Sequence, residues 1–235
     1  MKIKFYCPIC FSEHGDGVES QVFITPTDTG LYHVKCLQGH TTPTILQQMR
    51  FEVLFEIGIN AIADGYFREA ISSFAAALER FLEFYIFTVF QERGAQEALY
   101  DIIWKKVSSQ SERQLGAYFF LYTLHEGKEP PYLQKPLVEL RNQVIHKGRL
   151  PQRDEAIRFG NAVLKIISPI VRQLKIRSPE LLLQIIQQHQ RNAAATSKDV
   201  VMAGNCVNTT ISLAYSLSVP DCEDIASLPQ LRTYV

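Results

Sequence analysis

The chain has 235 residues, 46% hydrophobic and 20% charged, which allows one large domain or a domain with a small module and leaves enough apolar side chain for a core. Its 24 basic side chains balance 24 acidic ones, so nothing global advertises nucleic acid, and any basic surface must be local. No apolar run reaches the roughly eighteen residues of a membrane span, and Met1-Lys2-Ile3-Lys4-Phe5 lacks the apolar centre of a secretion signal; five cysteines, an odd number, do not read as a disulfide framework, so a reducing, cytoplasmic setting is the expectation.

Residues 1–44 read as a metal-stapled module. Cys7-Pro8-Ile9-Cys10 supplies two closely spaced thiolates, half of a tetrahedral site, and Cys36-Leu37-Gln38-Gly39-His40 offers the other half through Cys36 and His40. His33 and His14 are alternatives for the fourth ligand. Strand-like runs at Gln21–Ile24 and Leu31–Lys35, joined by the turn-rich Pro26-Thr27-Asp28-Thr29-Gly30, fill the interval as a hairpin. The pattern resembles a zinc ribbon. Four protein ligands leave no position for a reactive water, so the zinc is expected to be structural, substituting for a core that so short a segment cannot bury.

From 45 to 192 the apolar period becomes helical. Helices are predicted at Ile45–Ala63, Tyr66–Arg93, Ala95–Val107, Glu112–His125, about Pro136–Lys147, Arg153–Lys175 with a kink at Pro169, and Pro179–Gln190. The stretch around Asp64-Gly65-Tyr66-Phe67-Arg68 looks like a tetratricopeptide unit, but no second copy follows at the period of about 34 residues, so a helical hairpin packed through small residues explains it. Beyond 193, Val207, Thr209, Ile211, Leu213, Tyr215, Leu217 and Val219 alternate with smaller or polar residues. That predicts a half-buried strand joining the N-terminal sheet or its mate in a second copy.

The chemistry-bearing segment is Arg141-Asn142-Gln143-Val144-Ile145-His146. An imidazole moves protons near neutral pH, and a guanidinium holds phosphate and developing negative charge. At about 100° per residue, Leu133, Leu137, Leu140 and Val144 form a core stripe, while Asn142 and His146 point nearly opposite. Arg141 and His146, about 140° apart, splay on one isolated helix, so two copies across a two-fold axis are expected to bring them together, with Val138 and Ile145 in the contact. Lys135, Lys147, Arg149 and Arg153 supply local positive charge for a backbone, and Tyr132 and Tyr118 are stacking candidates. The bland reading of the same residues is a solvated helix face.

Glu139-Leu140-Arg141-Asn142-Gln143-Val144-Ile145-His146-Lys147-Gly148 resembles the signature of the HEPN superfamily, Arg and His separated by four to six residues with a polar residue after Arg. The helix with Glu79-Arg80-Phe81 is similar to the second helix of those domains, and the likeness covers roughly 45–190. It implies a mainly α fold, a HEPN-like bundle here carrying a ribbon module and a C-terminal strand. It also implies a homodimer and a metal-independent endoribonuclease of the toxin or antiviral type, acting on RNA and answering to a cognate antitoxin or regulatory protein. Arg141 would contact the phosphate, His146 would be general base or acid, Asn142 would orient one of them, and Glu79 would set the imidazole. Lys135, Lys147 and Arg149 would hold the substrate backbone, and products would end in a 2′,3′-cyclic phosphate. The competing expectations are a non-catalytic HEPN-like dimer that binds a protein or small ligand, and a zinc-ribbon DNA binder, which neutral charge and the lack of a recognition helix disfavour.

Overall fold

A computed structural model of the chain describes residues 2–15, 17, 20–196, 203–205, 209–213 and 222–228. Two small sheets come first. β1 (Ile3–Tyr6) pairs antiparallel with β2 (Gln21–Ile24) across the short helix α1 (Pro8–His14). β3 (Leu31–Lys35) pairs antiparallel with β4 (Thr41–Leu46). The two predicted strands therefore exist with their predicted bounds but do not form one hairpin: each takes a partner that the sequence pattern did not disclose. Ile3, Phe5, Tyr32, Val34 and Leu46 bury a small core, and Val53 of the next helix packs against it.

The helical body then follows in chain order as α2 (Arg50–Ala63), α3 (Phe67–Glu92), α4 (Glu97–Val107), α5 (Ser111–Glu126), α6 (Lys135–Lys147), α7 (Arg153–Arg177) and α8 (Pro179–Ala194). The protein is mainly α with a small N-terminal β module. The first body helix begins five residues later than predicted. Ile45 and Leu46 end β4, where Thr41, Thr42 and Thr44 favour a pleated strand. Met49 caps α2, its N–H donating to the Glu52 carboxylate at 2.7 Å. α7 passes through Pro169 without ending. No described helix is long and apolar enough to cross a membrane.

α2 and α3 form the expected hairpin, turning at Gly65, whose φ of 79° is open to glycine. Small residues set their closeness. A Cβ on Gly58 of α2 would lie 2.5 Å from the Phe74 ring, and one on Gly160 of α7 would lie 2.7 Å from the same ring. Phe74 is thus the wedge on which three helices meet, within a core that includes Phe55, Phe81, Tyr85, Tyr118, Phe159 and Leu164. At the far end of α3, Arg177 of α7 donates from Nε and Nη2 to the two Glu92 oxygens, each at 3.1 Å, and from Nη1 to Glu126 of α5 at 2.8 Å. Burial works to raise Glu92, but the bonds from Arg177 and Ser178 with the charges of Arg177 and His125 together outweigh it and hold that carboxyl below its ordinary range.

The C-terminal strand is displaced from its predicted position. β5 (Ala203–Asn205) adds parallel to β4, from Thr44↔Ala203 to Leu46↔Asn205. Within the predicted 207–219 strand, the described residues 209–213 are not a strand. Their amides are claimed by carboxylates of α2: Thr210 N–H donates to Glu56 Oε2 at 3.1 Å and Leu213 N–H to Glu52 Oε1 at 2.9 Å, while Ile211 and Leu213 sink into the body core. Residues 207, 208 and 214–219 of that prediction lie outside the described residues.

Candidate metal centre and candidate active site

The four predicted metal ligands meet. Cys7 precedes Pro8 at the start of α1, and Cys10 follows in its first turn. Cys36 directly follows β3, where Gly39 N–H donates to Cys36 O at 3.1 Å and Cys36 N–H to His40 O at 3.1 Å. Gly39, with φ of 87°, permits this tight return. One donor atom from each of Cys7, Cys10, Cys36 and His40 falls within 4.8 Å of the others. The gaps are 3.6 Å for Cys10 Sγ to Cys36 Sγ, 3.3 Å for Cys10 Sγ to His40 Nδ1, 3.5 Å for Cys36 Sγ to His40 Nδ1 and 3.9 Å for Cys7 Sγ to His40 Nδ1. Tetrahedral bonds of about 2.3 Å to sulfur and 2.0–2.1 Å to nitrogen require edges of about 3.5–3.8 Å, so the donor set fits a metal ion of that size. Burial and the adjacent thiols push Cys10 up to about 12, a crowding that a cation among the sulfurs would reverse. His14 at the end of α1 and His33, exposed on β3, stand outside the cluster.

The second site is built on α6. Leu140 and Val144 bury its inner stripe, and the helix stops just past His146 because Gly148, φ 69°, caps it by donating to Gln143 O. Arg141 leaves the flank of α6 and is met by α3: its Nη2 donates to Glu79 Oε1 at 2.8 Å. Its Nη1 donates to Asn142 Oδ1 at 3.1 Å and lies 3.4 Å from His146 Nε2. The angular argument that Arg141 and His146 splay on one helix is therefore overturned. The arginine stem is long enough to run back over the intervening turn, and Glu79 fixes where it ends. Arg141, Asn142, His146 and Glu79 gather within one chain. Because a guanidinium only donates, a hydrogen bond across this contact uses the lone pair of Nε2, which belongs to the tautomer with its hydrogen on Nδ1.

The surrounding residues divide. Lys135 and Lys147 are exposed on α6, with Lys135 4.0 Å from Glu139. Arg149 is committed, donating to Gln143 at 2.7 Å and to Glu155 at 2.6 Å. Tyr118 is no stacking platform: it is fully buried, and its hydroxyl donates to Pro131 O at 3.1 Å. Tyr132 is 41% exposed and borders a cleft of about 230 Å3 between α3, α5 and α6, which Arg141 and Asn142 also line. Val138 faces that cleft, whereas Ile145 packs on the body core. Ser111 and Glu112 of α5 complete the cleft. Neither is a predicted site residue, because only the packing of α5 on α3 brings them there. A larger groove, about 460 Å3, is lined by both the module and the body, and its Arg80 is paired with Glu83 at 2.5 Å; the smaller cleft is the one that Arg141 lines. Comparison of the chain with protein-family models, with curated proteins and with solved structures found no match.

Proposed function

We propose that this protein is an endoribonuclease of the HEPN type. The observation that carries the reading is the guanidinium of Arg141 held by Glu79 with its other nitrogen against His146 Nε2, at the lip of an open cleft. A phosphodiester placed on Arg141 would replace His146 as acceptor for Nη1 and release the Nε2 lone pair. Nε2 then takes the proton of the ribose 2′-hydroxyl, the 2′-oxygen bonds to phosphorus, and the bond from phosphorus to the 5′-oxygen breaks. That leaving oxygen collects a proton from the His146 of a second copy or from water. Arg141 stabilises the charge that gathers on the phosphoryl oxygens, and the product ends in a 2′,3′-cyclic phosphate. No step needs a metal at this site. We assign the Cys7, Cys10, Cys36 and His40 cluster to zinc, since three thiolates and an imidazole in tetrahedral spacing suit that ion. With four protein ligands it closes on itself and serves as a staple.

The test is incubation of the purified protein with total RNA in EDTA beside Arg141→Ala and His146→Ala. Cleavage lost in both variants, with cyclic phosphate ends in the wild-type products, supports the enzyme. A folded wild type that cuts no RNA removes it. A second reading, a non-catalytic module that binds a protein, is favoured by Ile102 on α4 and by Phe120 and Leu124 on α5, both 77% exposed. Under it the Arg141 and His146 variants would leave partner binding unchanged.

A further inference from the structure

The cleft beside Arg141 has a chemistry of its own. At about 230 Å3 it is smaller than the roughly 300–1,000 Å3 of sites for drug-sized ligands, so it admits one flat ring system. Its walls are apolar, with Leu78 and Leu82 from α3 and with Leu115 and Val138, the last two exposed to solvent. At the rim the Tyr132 ring is braced edge-on by Phe119, centroids 5.4 Å apart and planes at 60°, leaving a fixed aromatic surface half in water. Such a surface is what an unstacked base seeks.

The polar groups are complementary across the gap. On α6, Arg141 and Asn142 present hydrogen-bond donors, Asn142 having its Oδ1 occupied by Arg141 and its amide hydrogens without an acceptor among the described residues. On α5, Glu112 presents a carboxylate, one oxygen of which accepts from Ser111 Oγ at 3.4 Å. A carboxylate only accepts, so it selects bases by their N–H groups. Guanine alone offers two adjacent donors, N1–H and N2–H, to one carboxylate, with an O6 acceptor beside them for an amide hydrogen; adenine, cytosine and uracil each offer a single donor position on that edge.

We propose that this cleft is a nucleobase subsite selective for guanine, in which Tyr132 stacks on the ring and Glu112 accepts from N1–H and N2–H while the neighbouring phosphate lies on Arg141. The proposal names the substrate class of the nuclease site and rests on that reading for its purpose, but binding is measured without cleavage. The probe is guanosine 3′-monophosphate, titrated by calorimetry and by backbone amide NMR beside the 3′-monophosphates of adenosine, cytidine and uridine. The guanosine nucleotide binds at least tenfold tighter than the other three and moves amides within 75–82, 111–118 and 132–142. Glu112→Gln removes that tenfold preference, because its amide nitrogen opposes the base donors, and Tyr132→Ala weakens all four nucleotides alike. Both variants change exposed side chains, and circular dichroism verifies their fold. Equal affinity for the four nucleotides, or shifts confined to other helices, overturns the subsite. A protein that binds the guanosine nucleotide in the cleft and cuts no RNA keeps the subsite and loses the nuclease. One that cuts beside all four bases equally keeps the nuclease and loses the subsite.

Discussion

Replacing Glu79 separates a positioning contact from a stabilising one. Glu79→Gln keeps size and an acceptor oxygen but removes the charge that anchors Arg141, and Glu79→Ala removes both. The ion pair is short, 2.8 Å, yet the two side chains are 24% and 34% exposed, so solvent screening holds its worth to about 0.2–1 kcal/mol. In a chain of this length 1 kcal/mol moves the melting temperature by roughly 2–4 °C. Both variants should therefore melt within about 4 °C of wild type by circular dichroism. Activity should respond far more. The Arg141 to His146 contact at 3.4 Å is at the edge of a hydrogen bond, and a misplacement of about 1 Å can cost about a hundredfold in rate. RNA cleavage in EDTA should fall about 10-fold in Glu79→Gln and about 100-fold in Glu79→Ala. Cleavage by Glu79→Ala within twofold of wild type would show that α3 does not set Arg141. A melting drop well beyond 10 °C would show the pair to be structural.

Other outcomes follow from features of the same fold. One zinc ion per chain should be found by atomic absorption, and Cys36→Ser or strong chelation should loosen the Phe5 and Tyr32 core, read by near-ultraviolet dichroism, while the helical signal and RNA cleavage persist; loss of cleavage with intact helices would contradict a staple. Glu52→Ala leaves the Met49 and Leu213 amides without their acceptor inside the fold, at about 1–3 kcal/mol each, and urea unfolding should show a loss of about 2–6 kcal/mol. Burial also pushes Glu52 up from 4.5 to about 7. Its folded form keeps a proton that the unfolded chain releases, so its contribution is complete below about pH 4.5 and is lost as pH rises through 7. At about 1.4 kcal/mol per pH unit the loss reaches about 3 kcal/mol, and Glu52→Gln should flatten stability across that window; a steeper fall in the variant contradicts this account. Gly58→Ala drives a methyl to 2.5 Å from the Phe74 ring; overpacking of about 1–3 kcal/mol should outweigh a gain in helix propensity of about 1 kcal/mol, and a melt at or above wild type would refute the wedge.

What could be read from the sequence was local. Cys7, Cys10, Cys36 and His40 announced themselves because ligand spacing is a short-range property, and their cluster forms as the spacing requires. The seven body helices were legible from apolar periodicity to within a few residues at most ends. Pairings were not: Gln21–Ile24 and Leu31–Lys35 are strands, but nothing in either run says that each prefers Ile3–Tyr6 or Thr41–Leu46 to the other. At 209–213 the alternation misled because period two reports a pattern of faces and says nothing about which acceptor takes the amides; at Thr210 and Leu213 these are Glu56 and Glu52. The Arg141 site was found from its residues, but its geometry needed the length of one side chain and a carboxylate 62 positions earlier in the chain.

β5 has a consequence for how the molecule is made. The β3–β4 sheet, whose two strands are joined through Cys36 and His40, is completed by residues 203–205, so the ribosome must release the whole helical body before the outer edge of β4 finds its neighbour. The module, synthesised before the helices, is thus sealed after them, and until then the edge of β4 turned away from β3 is left without its neighbour. A nascent or clipped chain ending near 196 carries the whole helical body and an uncovered strand edge together, which marks that boundary as the place where truncation yields clumped rather than dispersed protein.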